Sequence, residues 1–194
     1  MVFLALTRNA AAVLKIDIKK AITHDLARLP AMEDWIVDTI WNVKVEKKPG
    51  IMFYNKATGF VIPLNPAEYS LLYSLETMKE QLFRLLVEYG LVDKISYFQD
   101  LFSVIHLCKN NDRSAVAYMT QSKNLINGFL NADNDQRVSH SYDLLKRINE
   151  DMRKINGEYQ QTRMKEFIQK VNKIDEKTGL VIALPKDNDT ESMH

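Results

Sequence analysis

Hydrophobic residues between Leu71 and Tyr89 fall at Leu71, Leu75, Met78, Leu82, Leu85 and Tyr89, a 4-3-4-3-4 spacing that lines one stripe of a helix. Asn65-Pro66 supplies a start signal and Gly90 a stop, because Asn caps free N–H groups and Gly tolerates a left-handed C-cap. Ile95, Phe98, Phe102 and Ile105 continue the helical period until Asn110-Asn111-Asp112 interrupts it. A further helix is expected from Ser114 to Leu130, followed by a polar loop at Asn131–Gln136. Ser139–Ile155 and Glu158–Ile174 both read as amphipathic helices, joined at Asn156-Gly157 into an antiparallel hairpin. After Thr178-Gly179, the run Leu180–Leu184 reads as a strand or extended docking segment, and the polar end as a frayed tail.

The first 65 residues follow a different pattern. Leu14, Ile16 and Ile18 alternate with Lys15, Asp17 and Lys19, the two-residue period of a half-buried strand, although Ala10–Leu14 alone favours helix. Lys20–Leu29, stopped by Pro30, and Glu33–Trp41 then read as two short helices. Val43 and Val45 alternate with charged residues, and Ile51–Tyr54 and Phe60–Leu64 flank the turn Asn55–Gly59 as a hairpin. The fold expected is mainly α with a small β component. A mixed region spans 1–65 and holds a ribbon-helix-helix unit at 14–43; an amphipathic helical domain spans 66–185, and an acidic disordered tail 186–194.

Composition narrows the class. The 194 residues are 46% hydrophobic, enough for a globular core, and 11 Gly and Pro residues in all exclude collagenous or linker-rich chains. One cysteine cannot form an internal disulfide and suits a reducing cytoplasm. The longest apolar runs, Met1–Leu6 and Leu180–Leu184, fall well short of the ~20 residues of a membrane helix. Met1–Leu6 also lacks the basic flank and cleavage site of a signal peptide. The near-zero net charge is zoned: Arg8–Lys20 carries four bases and one acid, as does Lys44–Lys56, whereas Pro66–Asp100 carries six acids and three bases. The first quarter is therefore the expected electropositive face.

Catalytic chemistry finds little support. His24-Asp25 is similar to the metal-binding dipeptide of HD phosphohydrolases, but His106, His140 and His194 lack the spacing to complete a coordination sphere. Cys108 lies two residues from His106, yet no oxyanion feature accompanies it, and Cys is among the most buried residue types. The chain has neither a phosphate loop nor a Gly-x-Ser-x-Gly elbow, and Glu150-Asp151 reads as solvated charge. No enzyme activity, metal, cofactor or small-molecule substrate is expected.

Binding chemistry points to duplex DNA. In a ribbon-helix-helix dimer, paired strands enter the major groove, so Lys15, Asp17 and Lys19 would face base edges while Leu14, Ile16 and Ile18 close the core. Lys20 and Arg8 would contact phosphates. Leu29-Pro30-Ala31-Met32 departs from the Gly-containing turn of that motif, and Glu33-Asp34 disfavours a phosphate at the second helix. The same residues also fit a core strand with two packing helices.

Leu6-Thr7-Arg8-Asn9-Ala10, Glu33-Asp34-Trp35, the helix Tyr73–Tyr89 running into Gly90-Leu91-Val92-Asp93, and Val138–Gly157 together resemble AcaB-like transcriptional activators of conjugative plasmids and integrative conjugative elements. The resemblance implies a homodimeric ribbon-helix-helix activator of transfer genes, with Lys15, Asp17 and Lys19 on the ribbon. The alternative expectation is a helical interaction or scaffold protein of a mobile element without DNA contact, motivated by the amphipathic helices between Pro66 and Ile174.

Overall fold

A computed structural model describes residues 1–21, 31–45, 48–64, 70–110, 112–132, 141–155 and 158–174. Its centre is a mixed five-stranded sheet of order β4-β3-β2-β1-β5. The strands are β1 (Val2–Leu6), β2 (Asp34–Val45), β3 (Lys48–Asn55), β4 (Val61–Leu64) and β5 (Ile105–Lys109). β1 pairs in parallel with β2 and β5, whereas β2-β3 and β3-β4 are antiparallel. The chain is thus an α/β protein, not mainly α, and the ribbon-helix-helix unit at 14–43 is not formed.

The reason lies in burial on both sheet faces. Val2, Leu4 and Leu6 face one apolar cluster and Ala5 the opposite one, so β1 is a continuous apolar run without alternation. In β2, Trp35 and Val37 join the first cluster and Ile36 and Ile40 the second. That mostly apolar stretch, buried on both faces, satisfies a helical period by accident. Its β-branched and aromatic content, Trp-Ile-Val-Asp-Thr-Ile, favours the strand actually adopted over the helix expected at Glu33–Trp41.

The expected ribbon at 14–18 is a helix end and a turn. α1 (Arg8–Val13) closes on Leu14, and Lys15 sits in the left-handed region at φ 56°. Asp17 accepts from the Lys19 N–H at 3.1 Å and caps a short 3-10 turn, Ile18–Lys20. Leu14, Ile16 and Ile18 alternate because the turn returns each of them to the first cluster. The helix expected at Lys20–Leu29 lies outside the described residues from Ile22 onward, as do Asn65-Pro66, the loop from residue 133 onward, Leu180–Leu184 and the tail.

The β3-β4 hairpin forms where expected. The Asn55 carboxamide accepts from both the Thr58 N–H and hydroxyl, Gly59 takes φ 69°, and Asn55 Nδ2 donates to the Met32 carbonyl at 3.0 Å. α2 (Leu71–Glu88) also follows its periodicity, with Ser70 as N-cap and Gly90 at φ 70° just past its end. α3 (Ile95–Leu101) ends sooner than expected, since Ile105 belongs to β5. α4 (Arg113–Ala132) matches the helix read at Ser114–Leu130.

The two helices expected after residue 139 are shorter. α5 (Ser141–Glu150) and α6 (Arg163–Asn172) are separated by β6 (Met152–Ile155) and β7 (Glu158–Thr162), which pair antiparallel. The antiparallel pairing of β6 with β7 replaces the helical continuation expected there; Asn156-Gly157 itself lies outside the described residues.

Helices cover both sheet faces. α1, α2, α3 and α6 pack on the first cluster, where Phe167 stacks on Phe60 at 4.3 Å and lies 6.1 Å from Phe98. α4 and α5 supply Met119, Ile126 and Ile148 to the second. At the β4 edge, the buried Asn149 carboxamide of α5 accepts from Val61 N–H at 2.8 Å and donates to Val61 C=O at 2.6 Å, doing what a sixth strand would do. Among the described residues, no helix is long and apolar enough to cross a membrane.

Candidate ligand crevice at the carboxyl ends of strands 1 and 5

Two parallel strands flank the crevice, and their following helices diverge. The chain leaves β1 for α1 on one face of the sheet and leaves β5 for α4 on the other. After β1 the chain continues to β2 on one side, while β5 lies on the opposite side. Such a switch point opens a cleft beyond the strand ends, the usual ligand position in open α/β sheets. Here the cleft has a volume of about 340 Å³.

Its polar lining comes from strand-helix junctions. Thr7 separates β1 from α1: its hydroxyl accepts from the Ala10 N–H at 3.2 Å and donates to Asp38 at 2.6 Å. Asp38, 4% exposed, also accepts from the Thr39 N–H at 2.8 Å and pairs with Lys123 of α4. This network holds the start of α1, and with it Arg8, against α4. Arg8 is exposed and lines the cleft.

On the other bank, the Asn110 N–H donates to Leu6 C=O at 3.1 Å, prolonging the β5 ladder past Lys109. Asn110 Oδ1 accepts from the Asp112 N–H at 3.0 Å, and Asp112 Oδ1 accepts from the Ala115 N–H at 3.1 Å, so this turn caps α4. The Lys56 ammonium lies 2.6 Å from Asp112 Oδ2 and offsets that carboxylate. Arg8 and Lys109 then leave the cleft electropositive, reinforced by the N-terminal end of a 20-residue helix. Ile18 and Val116 make its apolar walls, backed by the fully buried Leu6.

Of the residues expected to bind DNA, only Arg8 lines this cleft. Lys15, Lys19 and Lys20 are exposed on the turn that carries Ile18, and Asp17 serves as a cap. Lys15, Asp17 and Lys19 therefore share no strand face. His106 is half-buried in β5, stacked on Phe3 at 5.6 Å. Burial pushes the neighbouring Cys108 thiol up to about 11, and Asp34 adds to the effect, so the thiol stays protonated at neutral pH. His24-Asp25, His140 and His194 lie outside the described residues, among which no group of three or more His, Cys, Asp or Glu could hold a metal.

Nothing in the local pattern around Lys109, Asn110, Asp112 and Val116 marks them as site residues. An apolar strand runs into Asn-Asn-Asp and then a helix, and Asn110-Asn111-Asp112 reads only as an interruption between helices.

Neither the curated proteins nor the solved structures offer a match to this chain. A family model described as a domain of unknown function, DUF6933, matches residues 3–166, which include the sheet and both banks of the cleft. The chain belongs to the DUF6933 family.

Proposed function

We propose that the protein binds a small phosphate-bearing ligand in the cleft between β1 and β5. The reading rests on one observation: Arg8, Lys109 and the start of α4 converge on a single cavity at a switch point of the sheet. Phosphate suits such a place because the two cations attract it, with Lys56 neutralising the Asp112 carboxylate that caps α4. Thermal unfolding with inorganic phosphate or pyrophosphate tests the idea. A ligand at 100 times its Kd stabilises by about 2.7 kcal/mol. For a chain of this size that raises Tm by about 5–10 °C. Lys109→Ala should abolish the shift, and a wild type unresponsive at 10 mM (roughly the weak-binding limit of interest) to these anions and to phosphate-bearing organic ligands alike refutes the proposal.

A second reading is favoured by the exposure of Arg8, Lys15, Lys19 and Lys20 along α1 and its following turn. Here the protein is a DNA-binding transcriptional regulator of a mobile element, a dimer in the manner the AcaB-like resemblance implies. Its contacts would be to phosphates, without a ribbon reading bases. Duplex binding should then weaken steeply with salt, and the Lys15→Ala, Lys19→Ala, Lys20→Ala triple variant should lower the salt slope by about 2–3. Undetectable duplex binding at low salt removes this reading and leaves the first intact.

A further inference from the structure

We infer that the phosphate-bearing ligand is a single free nucleotide, its base seated between Ile18 and Val116; this rests on the small-ligand reading above. The two side chains reach the cleft from opposite sheet faces. Ile18 sits on the turn after α1 and packs against the first core cluster, while Val116 stands in the first turn of α4. Val116 is 41% exposed, and Leu6, fully buried, forms part of the lining with them. A single exposed valine is ordinary on a surface. An exposed valine across a cleft from a half-buried isoleucine, beside two cations, makes an amphipathic slot.

Inorganic phosphate has no use for such walls, and a sugar phosphate is polar on every side. A nucleotide joins a flat, weakly polar ring to a charged end, so it can cover the apolar walls and meet Arg8 and Lys109 together. Size sets the upper limit. At about 340 Å³ the cleft is near the lower end of small-molecule sites, which suits one nucleotide and is small for a dinucleotide. Ligand pockets of this kind combine apolar walls with a few placed polar groups.

Isothermal titration of the full chain tests the inference, with adenosine, guanosine, cytidine and uridine 5′-monophosphates, ribose 5-phosphate and inorganic phosphate as probes. At least one nucleotide should bind tenfold or more tighter than ribose 5-phosphate. Val116→Asn, checked for folding by circular dichroism, should reduce that preference at least fivefold. Lys109→Ala should weaken both. Equal affinity for nucleotide and ribose 5-phosphate, or a Val116→Asn variant that keeps the full preference, overturns the nucleotide assignment but leaves phosphate binding standing. Failure of every phosphate-bearing probe overturns both. A 5′-phosphorylated hexanucleotide in the same series separates sources: binding no tighter than the mononucleotide supports a free ligand, and binding tenfold tighter overturns it in favour of a strand end.

Discussion

Replacing Asn149 with leucine keeps the side chain near its original size while removing the groups that pair with the edge of β4. Asn149 is fully buried, and its carboxamide satisfies both the N–H and the C=O of Val61. Its bond to Leu145 C=O matters less, because that carbonyl lies within α5 and has the helix's own donor four residues on. The variant therefore strands two buried backbone groups, each costing about 1–3 kcal/mol. The added apolar surface of leucine returns about 1 kcal/mol. The net loss should be about 1–5 kcal/mol, or roughly 2–20 °C in Tm for a chain of this length. Urea unfolding followed by circular dichroism should show a lowered midpoint with an unchanged slope. Asn149→Asp should be at least as damaging at neutral pH, because it keeps an acceptor for Val61 N–H but buries a charge. It should recover partly in acid, where the carboxyl can again donate. A loss below about 1 kcal/mol in the leucine variant would mean that the edge of β4 is held by something other than this amide.

Other consequences are equally direct. Lys15→Gly should stabilise the fold by about 1 kcal/mol, since φ 56° costs a lysine more than a glycine, and a lowered urea midpoint contradicts this. Lys123→Met should cost about 1–3 kcal/mol, less than a fully buried pair because the lysine side chain is 20% exposed; Asp38→Asn in the same background should recover part of that loss in a double-mutant cycle. The Glu88 carboxyl is held below its ordinary value by its bond to Lys146 and then by that to Tyr142, so its contribution is full above about pH 4.5 and fades as pH falls through the lowered value. The stability gap between wild type and Glu88→Gln should accordingly be constant near neutrality and close in acid, and a gap that widens in acid would reverse the assignment. Native Cys108 should resist alkylation at pH 8 and react fully in urea, as expected of a buried thiol raised to about 11.

Legibility followed exposure. α2 and α4 each keep one face in water, so their 3.6-residue period survives in the sequence, and the β3-β4 hairpin carries its turn signature in Asn55–Gly59. β1 and β2 are buried on both faces, which erases the two-residue alternation by which strands are recognised. Leu14, Ile16 and Ile18 show the converse: a core-packed turn imitates a strand because alternate side chains happen to return to the same cluster. Arg8 was legible from its charge and from the run Leu6-Thr7-Arg8-Asn9-Ala10. Lys109 and Val116 were not, because their meaning depends on β5 lying beside β1, a pairing between residues about a hundred positions apart in the chain.

Thr7 has a consequence for how the cleft can change shape. Its N–H donates to Val37 C=O, its C=O accepts from the Ala11 N–H, and its hydroxyl bonds both Ala10 N–H and Asp38. One residue is the whole joint between strand and helix, with every polar group committed. A residue inserted there would advance the helix by about 100° and swing the guanidinium of Arg8 to another quarter of the surface. The angular phase of α1 is therefore geared to the strand register of β1.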